Sequence, residues 1–263
     1  MKNSELYLLF LLALIITGCK DKPKEVESSQ EWIEIFNGEN LDGWHPKIRG
    51  YALDENPWNT FRVVDGAMQV SYDEYEDFDD RFGHIFFKNP YSDYRLKMEY
   101  RFIGDQAPGG ERWATKNSGI MIHCQSPESM TVDQSFPVSL EVQLLGGFEE
   151  GVERPTANLC TPGTHVNMNG EQVTQHCINS NSETFYGEEW IEAEVLVIND
   201  SLITHYINGK EVISYSKPVI GGEYNTLENL SGQALTSGWI SLQSESHPIE
   251  FRNIKLLELK DQP

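Results

Sequence analysis

The chain is predicted to be all-β, with two antiparallel sheets packed as a sandwich or jelly roll. Three observations carry that expectation. Short runs that alternate apolar and polar residues recur from Trp32 to Leu259, no segment holds a helical period, and hairpin signals stand between the runs. Many strands with regular turns and no helices can bury their apolar faces only by packing sheet on sheet.

The expected strands follow one another as Trp32–Phe36, Thr60–Val64, His84–Phe87, Arg95–Phe102, Ser118–Cys124, Ser139–Leu145, Ile191–Ile198, Leu202–Ile207, Glu211–Tyr215, Trp239–Gln243 and Ile249–Leu259. Three breaks between runs carry turn chemistry: Asp65-Gly66 after the second, Asn199-Asp200 after the seventh and Asn208-Gly209 after the eighth. These pairs supply the positive φ angles that two-residue hairpin turns demand.

The start of the chain reads differently. Met1 to Lys20 has a short polar opening, an unbroken apolar run from Leu6 to Ile16, and then Thr17-Gly18-Cys19. The run is too short to span a bilayer as a permanent helix, and a small residue stands before the cysteine. The segment resembles a bacterial lipoprotein signal, with residues 1–18 removed and Cys19 acylated. Residues 19–30 (Cys19, then KDKPKEVESSQ) are charged and have almost nothing to bury, so they are expected to form a flexible tether ahead of one domain spanning 31–260. The expected location is the cell envelope, lipid-anchored, at the outer membrane or its periplasmic face.

A net charge of −21 repels phosphate backbones and anionic membrane surfaces, which argues against a nucleic-acid partner. The acidic run Asp73–Asp80 lacks the glycine and spacing of an EF-hand loop and reads as a solvated loop. Beyond Cys19, export makes disulfides available to Cys124, Cys160 and Cys177. Cys160 and Cys177 lie in polar, loop-like sequence and are the expected bridge. Cys124 ends an apolar run and is expected to be a buried thiol.

Residues two apart on a strand share a face. Leu140, Val142 and Leu144 therefore point to a core while Glu141 and Gln143 point together to the other side. The same pattern sets Ile120 and Ile122 inward, with Asn117, Met121 and His123 opposite, and places Trp239, Gln243 and Glu245 on one outer face. Amides, imidazole and an indole suit a sugar's hydroxyls and its C–H face better than they suit bulk solvent. Three such strands on one concave sheet would make a saccharide cleft.

Several motifs then carry a family resemblance, in order along nearly all of the chain after the tether. They are Phe36-Asn37-Gly38 with Leu41-Asp42-Gly43-Trp44, Asn117-Ser118-Gly119-Ile120, and Leu140-Glu141-Val142-Gln143-Leu144. Glu189-Trp190 and His205-Tyr206-Ile207-Asn208-Gly209 follow, with Leu242-Gln243 and Ile249 to Ile254 closing the set. Together they resemble the 3-keto-disaccharide hydrolase domain family. The resemblance implies a concanavalin A-like jelly roll, often exported from glycan-degrading bacteria. His123 and Ile191 depart from the arginine and asparagine common in that family, and the insert Phe148–Phe185 departs from its short form.

The implied chemistry starts from a ketone at C3 of a glucosyl unit, which acidifies the C2 proton. A base removes it, the C1 glycosidic oxygen is expelled, and water adds back. Glu141 is the expected base, held by Gln143, with His123 as acid or enolate stabiliser. Asn117 and Gln243 would hold hydroxyls, Trp239 would lie on the same face, and Glu245 and His247 would supply a second proton-transfer group, with a structural role the equal alternative for His247, which precedes Pro248 in a turn context. His123 and Glu141 could instead hold a divalent metal ion. Arg252 is read as structural, paired with an acidic neighbour, and Thr164, His165 and His176 as either capping or decorating the cleft. Hydrolysis by two carboxylates on one short strand lacks its partner, since Gln143 follows Glu141. The main alternative is a non-catalytic carbohydrate-binding surface lipoprotein.

Overall fold

The computed structural model describes residues 31–259; the signal, Cys19 and the tether lie outside the described residues. The strands are β1 (Ile33–Glu34), β2 (Trp44–Ile48), β3 (Phe61–Val64), β4 (Ala67–Val70), β5 (Gly83–Phe87), β6 (Asp93–Phe102), β7 (Asn117–Cys124), β8 (Leu140–Leu145) and β9 (Asn158–Cys160). They continue as β10 (Thr164–Met168), β11 (Glu171–Val173), β12 (Cys177–Ile178), β13 (Ile191–Ile198), β14 (Leu202–Ile207), β15 (Lys210–Ile220), β16 (Trp239–Ser244) and β17 (Ile249–Glu258). Only 3-10 turns interrupt them, and among the described residues no helix is long and apolar enough to cross a membrane.

Two antiparallel sheets result. One has ten strands in the order β11-β10-β15-β14-β13-β6-β17-β4-β3, with β1 paired to β17; the other has seven, β12-β9-β8-β7-β16-β5-β2. Alternation decides which side chains meet between them. Ala193, Val195 and Val197 of β13 are fully buried while Glu192 and Glu194 turn out, and Leu140, Val142 and Leu144 of β8 are likewise fully buried. Ile120, Ile122, Ile240 and Leu242 add to the seven-stranded contribution, against Leu96, Met98, Tyr100 and Phe251 from the ten-stranded sheet. Two of the three expected two-residue turns behave as their chemistry requires: Asp65 and Gly66 take φ of 49° and 80°, Asn208 and Gly209 take 49° and 75°. The third differs: Ile198 pairs with Leu202 around a longer turn, in which Asn199 takes φ of 52° and Asp200 is not in the left-handed region.

The insert is less loop-like than its polarity suggests. β10 and β11 extend the ten-stranded sheet, and β9 and β12 extend the seven-stranded one. Cys160 and Cys177 are directly paired across β9 and β12, and they form the expected disulfide. β11 and β12 are the edges of the two sheets, with β9 and β10 just inside them, and strands this short show too few residues for alternation to be read. β2 was hidden by Pro46, which the ladder tolerates because β2 lies at the sheet edge. Cys124 is a buried free thiol, pushed up to about 12 by burial. Arg252 pairs through Nε with Glu99 Oε2 at 2.5 Å and stacks on Trp190, which fits the structural role expected of it.

Candidate functional site: a carboxylate cleft on the seven-stranded sheet

Strand register places the polar residues in lines across the outer face of the seven-stranded sheet. One line reads Asn158, Gln143 and Gly119 on β9, β8 and β7, continuing as Gln243, His84 and Lys47 on β16, β5 and β2. The neighbouring line on the same face reads Cys177, Cys160, Glu141, Met121, Ser241 and Phe86. Over them opens a cleft of about 450 Å³, lined at its floor by Asn117, Glu141, Gln143 and Glu245.

Glu141 and Glu245 are both buried, and their environment keeps protons on them. Loss of solvation pushes Glu141 up to about 8. Loss of solvation, reinforced by the charge of Glu141, pushes Glu245 well above the carboxylate range, against the opposing pull of Arg154. Two like groups that share a poorly solvated site ionise one at a time, so as pH rises through about 8 the pair comes to hold a carboxylate on Glu141 and a carboxylic acid on Glu245 together.

Around the pair stand polar atoms with nothing to bind among the described residues. Asn117 Oδ1 and Glu245 Oε2, which line the cleft, are buried without a hydrogen-bond partner, as are both amide atoms of Gln243, which lies on the same sheet face but outside the cleft lining. Leaving such atoms unsatisfied is costly, and a cleft that receives a hydroxylated ligand is one place where they are met. Gln143 accepts from Asn158 Nδ2 at 3.2 Å through its own Oε1. No hydrogen bond joins it to Glu141 among the described residues, so it is not the clamp expected of it.

The wall beside Glu245 is held by Arg154. Its Nη1 donates to the carbonyls of Thr115, Lys116 and Gly146 at 2.8, 3.0 and 2.6 Å, and its Nη2 to that of Trp113 at 3.2 Å. The rim is aromatic. Trp113 stacks on Phe82 at 6.0 Å and 14°, Phe82 meets Phe136 at 5.1 Å, and Tyr224 packs edge-on to Phe136 at 5.5 Å and near His176 at 5.3 Å. Trp113 and Tyr224 are half exposed, open faces against which a sugar ring can stack.

His123 is a correction. Alternation puts it beside Asn117 and Met121, but the β7–β16 register shifts, from Met121 opposite Ser241 to Cys124 opposite Trp239. His123 absorbs the bulge with φ of 50°, and its Nε2 lies 3.0 Å from the Asn199 carbonyl, in the β13–β14 turn of the other sheet. It ties the sheets together and does not line the cleft. It therefore does not converge with Glu141 on a metal ion, and among the described residues no cluster of three or more His, Cys, Asp or Glu side chains is placed to hold one.

Trp239 is also displaced from its expected role: it packs on Phe86, Met121, Cys124 and Met130, an apolar patch at the far end of the same face. His247 is buried edge-on to Phe102 at 5.6 Å, outside the cleft lining, and burial pushes it down to about 4. Of the insert's polar residues, His176 lines the cleft, Thr164 Oγ1 donates to the Ser139 carbonyl, and His165 lies against Gly221 and Gly222. Asp80, from the acidic run, reaches the cleft rim.

His84 was missed. It is fully buried beside Gln243 in register, with both ring nitrogens unpartnered among the described residues, and burial holds it neutral by pushing it down to about 3. The alternation in Gly83 to Phe87 carried the signal, since His84 shares a face with Phe86. The rim rings Trp113, Phe136 and Tyr224 lie in loops, where no periodicity marks a face.

A jelly roll whose seven-stranded sheet carries buried carboxylates, open amides and ring-lined walls defines a carbohydrate-acting domain. The chain belongs to the 3-keto-alpha-glucoside-1,2-lyase-like domain family, whose sequence profile matches residues 31–257. Among solved structures, it resembles two proteins of Parabacteroides distasonis ATCC 8503 that are provisionally named glycosyl hydrolases. One is 20% identical with a TM-score of 0.53, covering 87% of this chain and 100% of the other; the second is 19% identical at 0.51, covering 90% and 97%. The exoplasmic/lumenal domain of VIP36, solved bound to Ca²⁺ and Man3GlcNAc, shares the fold at 10% identity and a TM-score of 0.50, covering 89% of this chain and 92% of that one. No curated protein matches the chain in sequence.

Proposed function

We propose that the protein cleaves 3-keto-glycosides by eliminating the C1 substituent, with Glu141 and Glu245 as the proton-transfer pair. The observation that supports this most is the pair itself: two buried carboxyl groups in one cleft, both made to hold a proton by loss of solvation, with the charge of Glu141 strengthening the hold at Glu245. Ionised Glu141 takes the C2 proton, made acidic by the C3 ketone, and the electron pair of that bond moves onto the C3 oxygen as an enolate. The enolate re-forms the ketone, a C1–C2 double bond appears, and the C1–O bond breaks. Protonated Glu245 gives its proton to the departing oxygen. Water then adds across C1–C2, which regenerates a free 3-keto sugar and restores the protons.

A base with a raised pKa is a stronger base when ionised, and its partner stays protonated to serve as acid. The amides of Asn117 and Gln243 lie on the same face, where a donor to the enolate oxygen or to neighbouring hydroxyls is needed. The expected lipobox adds a location: the domain works at the cell envelope, tethered through Cys19, and incorporation of labelled palmitate that is lost in Cys19→Ser checks it.

A second reading, saccharide binding without turnover, draws on the open rings Trp113 and Tyr224. Product release from 3-keto-trehalose and simple 3-keto-glucosides, beside their unoxidised parents, separates the two. Cleavage confined to the keto forms and abolished in Glu141→Gln, with binding retained, supports the enzyme. Binding without cleavage of either form, unaltered in Glu141→Gln, overturns it.

A further inference from the structure

We infer that Tyr72 and Gln106 are positioning residues for Glu245: by holding the left-handed backbone of Ser246, they aim the Glu245 carboxyl into the cleft. The inference deepens the reading above and rests on it, because Glu245 is the acid of that reaction.

The backbone beside Glu245 is strained. β16 ends at Ser244, Glu245 follows, and the fully buried Ser246 then takes φ of 81°. Glycine adopts that left-handed region freely, whereas serine stays there only where its surroundings hold it. Glu245 lines the cleft with its Oε2 buried and unpartnered among the described residues. Since β16 and β17 fix the chain on both sides, any relaxation of φ at residue 246 must be absorbed by the peptide that joins it to Glu245.

Every polar group of Ser246 is gripped from outside its own turn. Its N–H donates to the Tyr72 hydroxyl at 2.8 Å, its carbonyl accepts from the Ala107 N–H at 2.9 Å, and its Oγ accepts from Gln106 Nε2 at 2.7 Å. The grip comes from two separate elements. Tyr72 follows β4 of the ten-stranded sheet, its ring edge-on to Tyr75 at 5.1 Å and to Phe78 at 5.9 Å. Gln106 lies between β6 and β7, and its Oε1 accepts from Thr115 Oγ1 at 2.5 Å, while the Thr115 carbonyl accepts from Arg154. Gly110 leaves room for this bond: a Cβ there would stand 2.6 Å from both Gln106 Nε2 and Ser246 Oγ.

The clamp also stands next to the carboxyl it serves. Burial strengthens the hold of Glu245 on its proton, Glu141 adds to that hold, and Arg154 opposes it. Burial, with Tyr75 and Glu245 adding, pushes the Tyr72 hydroxyl up, so Tyr72 remains a neutral group that can accept from the Ser246 N–H.

Two variants test it. Tyr72→Phe keeps the ring and removes the acceptor for the Ser246 N–H, and Gln106→Ala, at a half-buried loop position, removes the donor to its hydroxyl. NMR titration of isotope-labelled glutamate, with the Glu245 signal assigned through Glu245→Gln, reads the carboxyl without needing turnover. In both variants the Glu245 titration is expected to move to lower pH by about one pH unit, as the carboxyl leaves its desolvated place. For a 3-keto alkyl glucoside, whose leaving oxygen needs a proton, kcat is expected to fall about tenfold at near-constant KM. For the 3-keto nitrophenyl glucoside, whose leaving group needs none, kcat is expected to hold. Ser246→Gly, unstrained at φ of 81°, is expected to restore most of the loss when combined with Tyr72→Phe. A titration that moves in both variants, while the parent cleaves neither substrate, would support the positioning and overturn the proposed reaction. A titration unmoved in both, or kcat lost equally with both leaving groups, would overturn the positioning and leave the reaction standing.

Discussion

The Glu141 side chain occupies the space that a β-carbon on Gly119 would need. A Cβ built at Gly119 would stand 2.6 Å from Glu141 Oε1, 2.7 Å from its Cγ and 3.0 Å from its carboxyl carbon. The two residues are diagonal neighbours across β7 and β8, two residues from direct register, since Gly119 faces Gln143 and Met121 faces Glu141. The glycine is thus a floor that lets the carboxyl group lie flat across the strand toward Gln243. Gly119 has an ordinary strand φ, so alanine there meets no backbone strain, only the displaced side chain. Gly119→Ala is expected to lower kcat/KM by tenfold or more while the melting temperature moves by only a few degrees. Parallel kinetics and thermal melts check it; unaltered kinetics would mean that the position of Glu141 is not what catalysis needs.

The buried carboxyl should also write itself into stability against pH. Glu141 has a folded pKa of about 8 against an ordinary 4.5, so between those values the folded chain binds more protons than the unfolded one. Its contribution is therefore fully present below about pH 4.5 and is lost as pH rises through about 8. Glu141→Gln keeps the shape and removes the charge. The variant is expected to melt higher than the parent at pH 8.5, by roughly 2–4 °C for each kcal/mol recovered, with the gap closing near pH 4.5. A gap that is constant across pH would mean that the carboxyl is not desolvated.

How much of this was legible in the sequence follows from the periods involved. β13 and β14 are bounded where alternation bounds them, at Ile191–Ile198 and Leu202–Ile207, and the inward set Leu140, Val142 and Leu144 follows from a two-residue repeat. The same repeat brought Glu141, Gln243 and Asn117 to one face. It failed at His123, where one extra residue in β7 moves the parity of everything after it, and no composition cue marks a bulge whose special φ falls on a histidine. It was silent on β9 to β12, whose polar edges are organised by sheet neighbours far away in sequence. The rim was invisible for a related reason: Trp113, Phe136 and Tyr224 come together only through the closed sandwich.

Acid should unfold the protein through its buried imidazoles. Burial pushes His84 down to about 3 and His205 and His247 to about 4, from an ordinary 6.5. His205 is bound as a neutral ring between the Ala157 carbonyl and the Tyr215 hydroxyl, both at 2.9 Å. The folded chain binds fewer protons than the unfolded one below 6.5, so this stability is present above 6.5 and lost as pH falls toward the folded values. Glu141 slopes the other way, which sets a stability maximum between roughly pH 6 and 7. His84→Gln removes one of the three groups and is expected to shift the acid-unfolding midpoint down by roughly a few tenths of a pH unit. Far-UV circular dichroism against pH reads this directly, and an unmoved midpoint would argue that His84 is not buried as a neutral ring.

The Cys160–Cys177 bridge joins stability to the cleft. It closes a loop with a sequence separation of 17 across β9 and β12, and both cysteines line the cavity next to Glu141, which pairs with Cys160 in register. Loss of such a crosslink from a loop of this size costs about 3 kcal/mol, or roughly 6–12 °C in melting temperature for a domain of this length. Edge strands two and three residues long have few other contacts to hold them, so β12 and the adjacent His176 should loosen first. Cys160→Ser/Cys177→Ser is therefore expected to raise KM more than it lowers kcat, because it frees the wall at Tyr224 while Glu141, on the interior strand β8, stays in place. Melting curves with and without reductant, and kinetics of the double variant, decide it. A fall in kcat at constant KM would show that the bridge acts on Glu141 itself, through the β8–β9 ladder, and not on the wall.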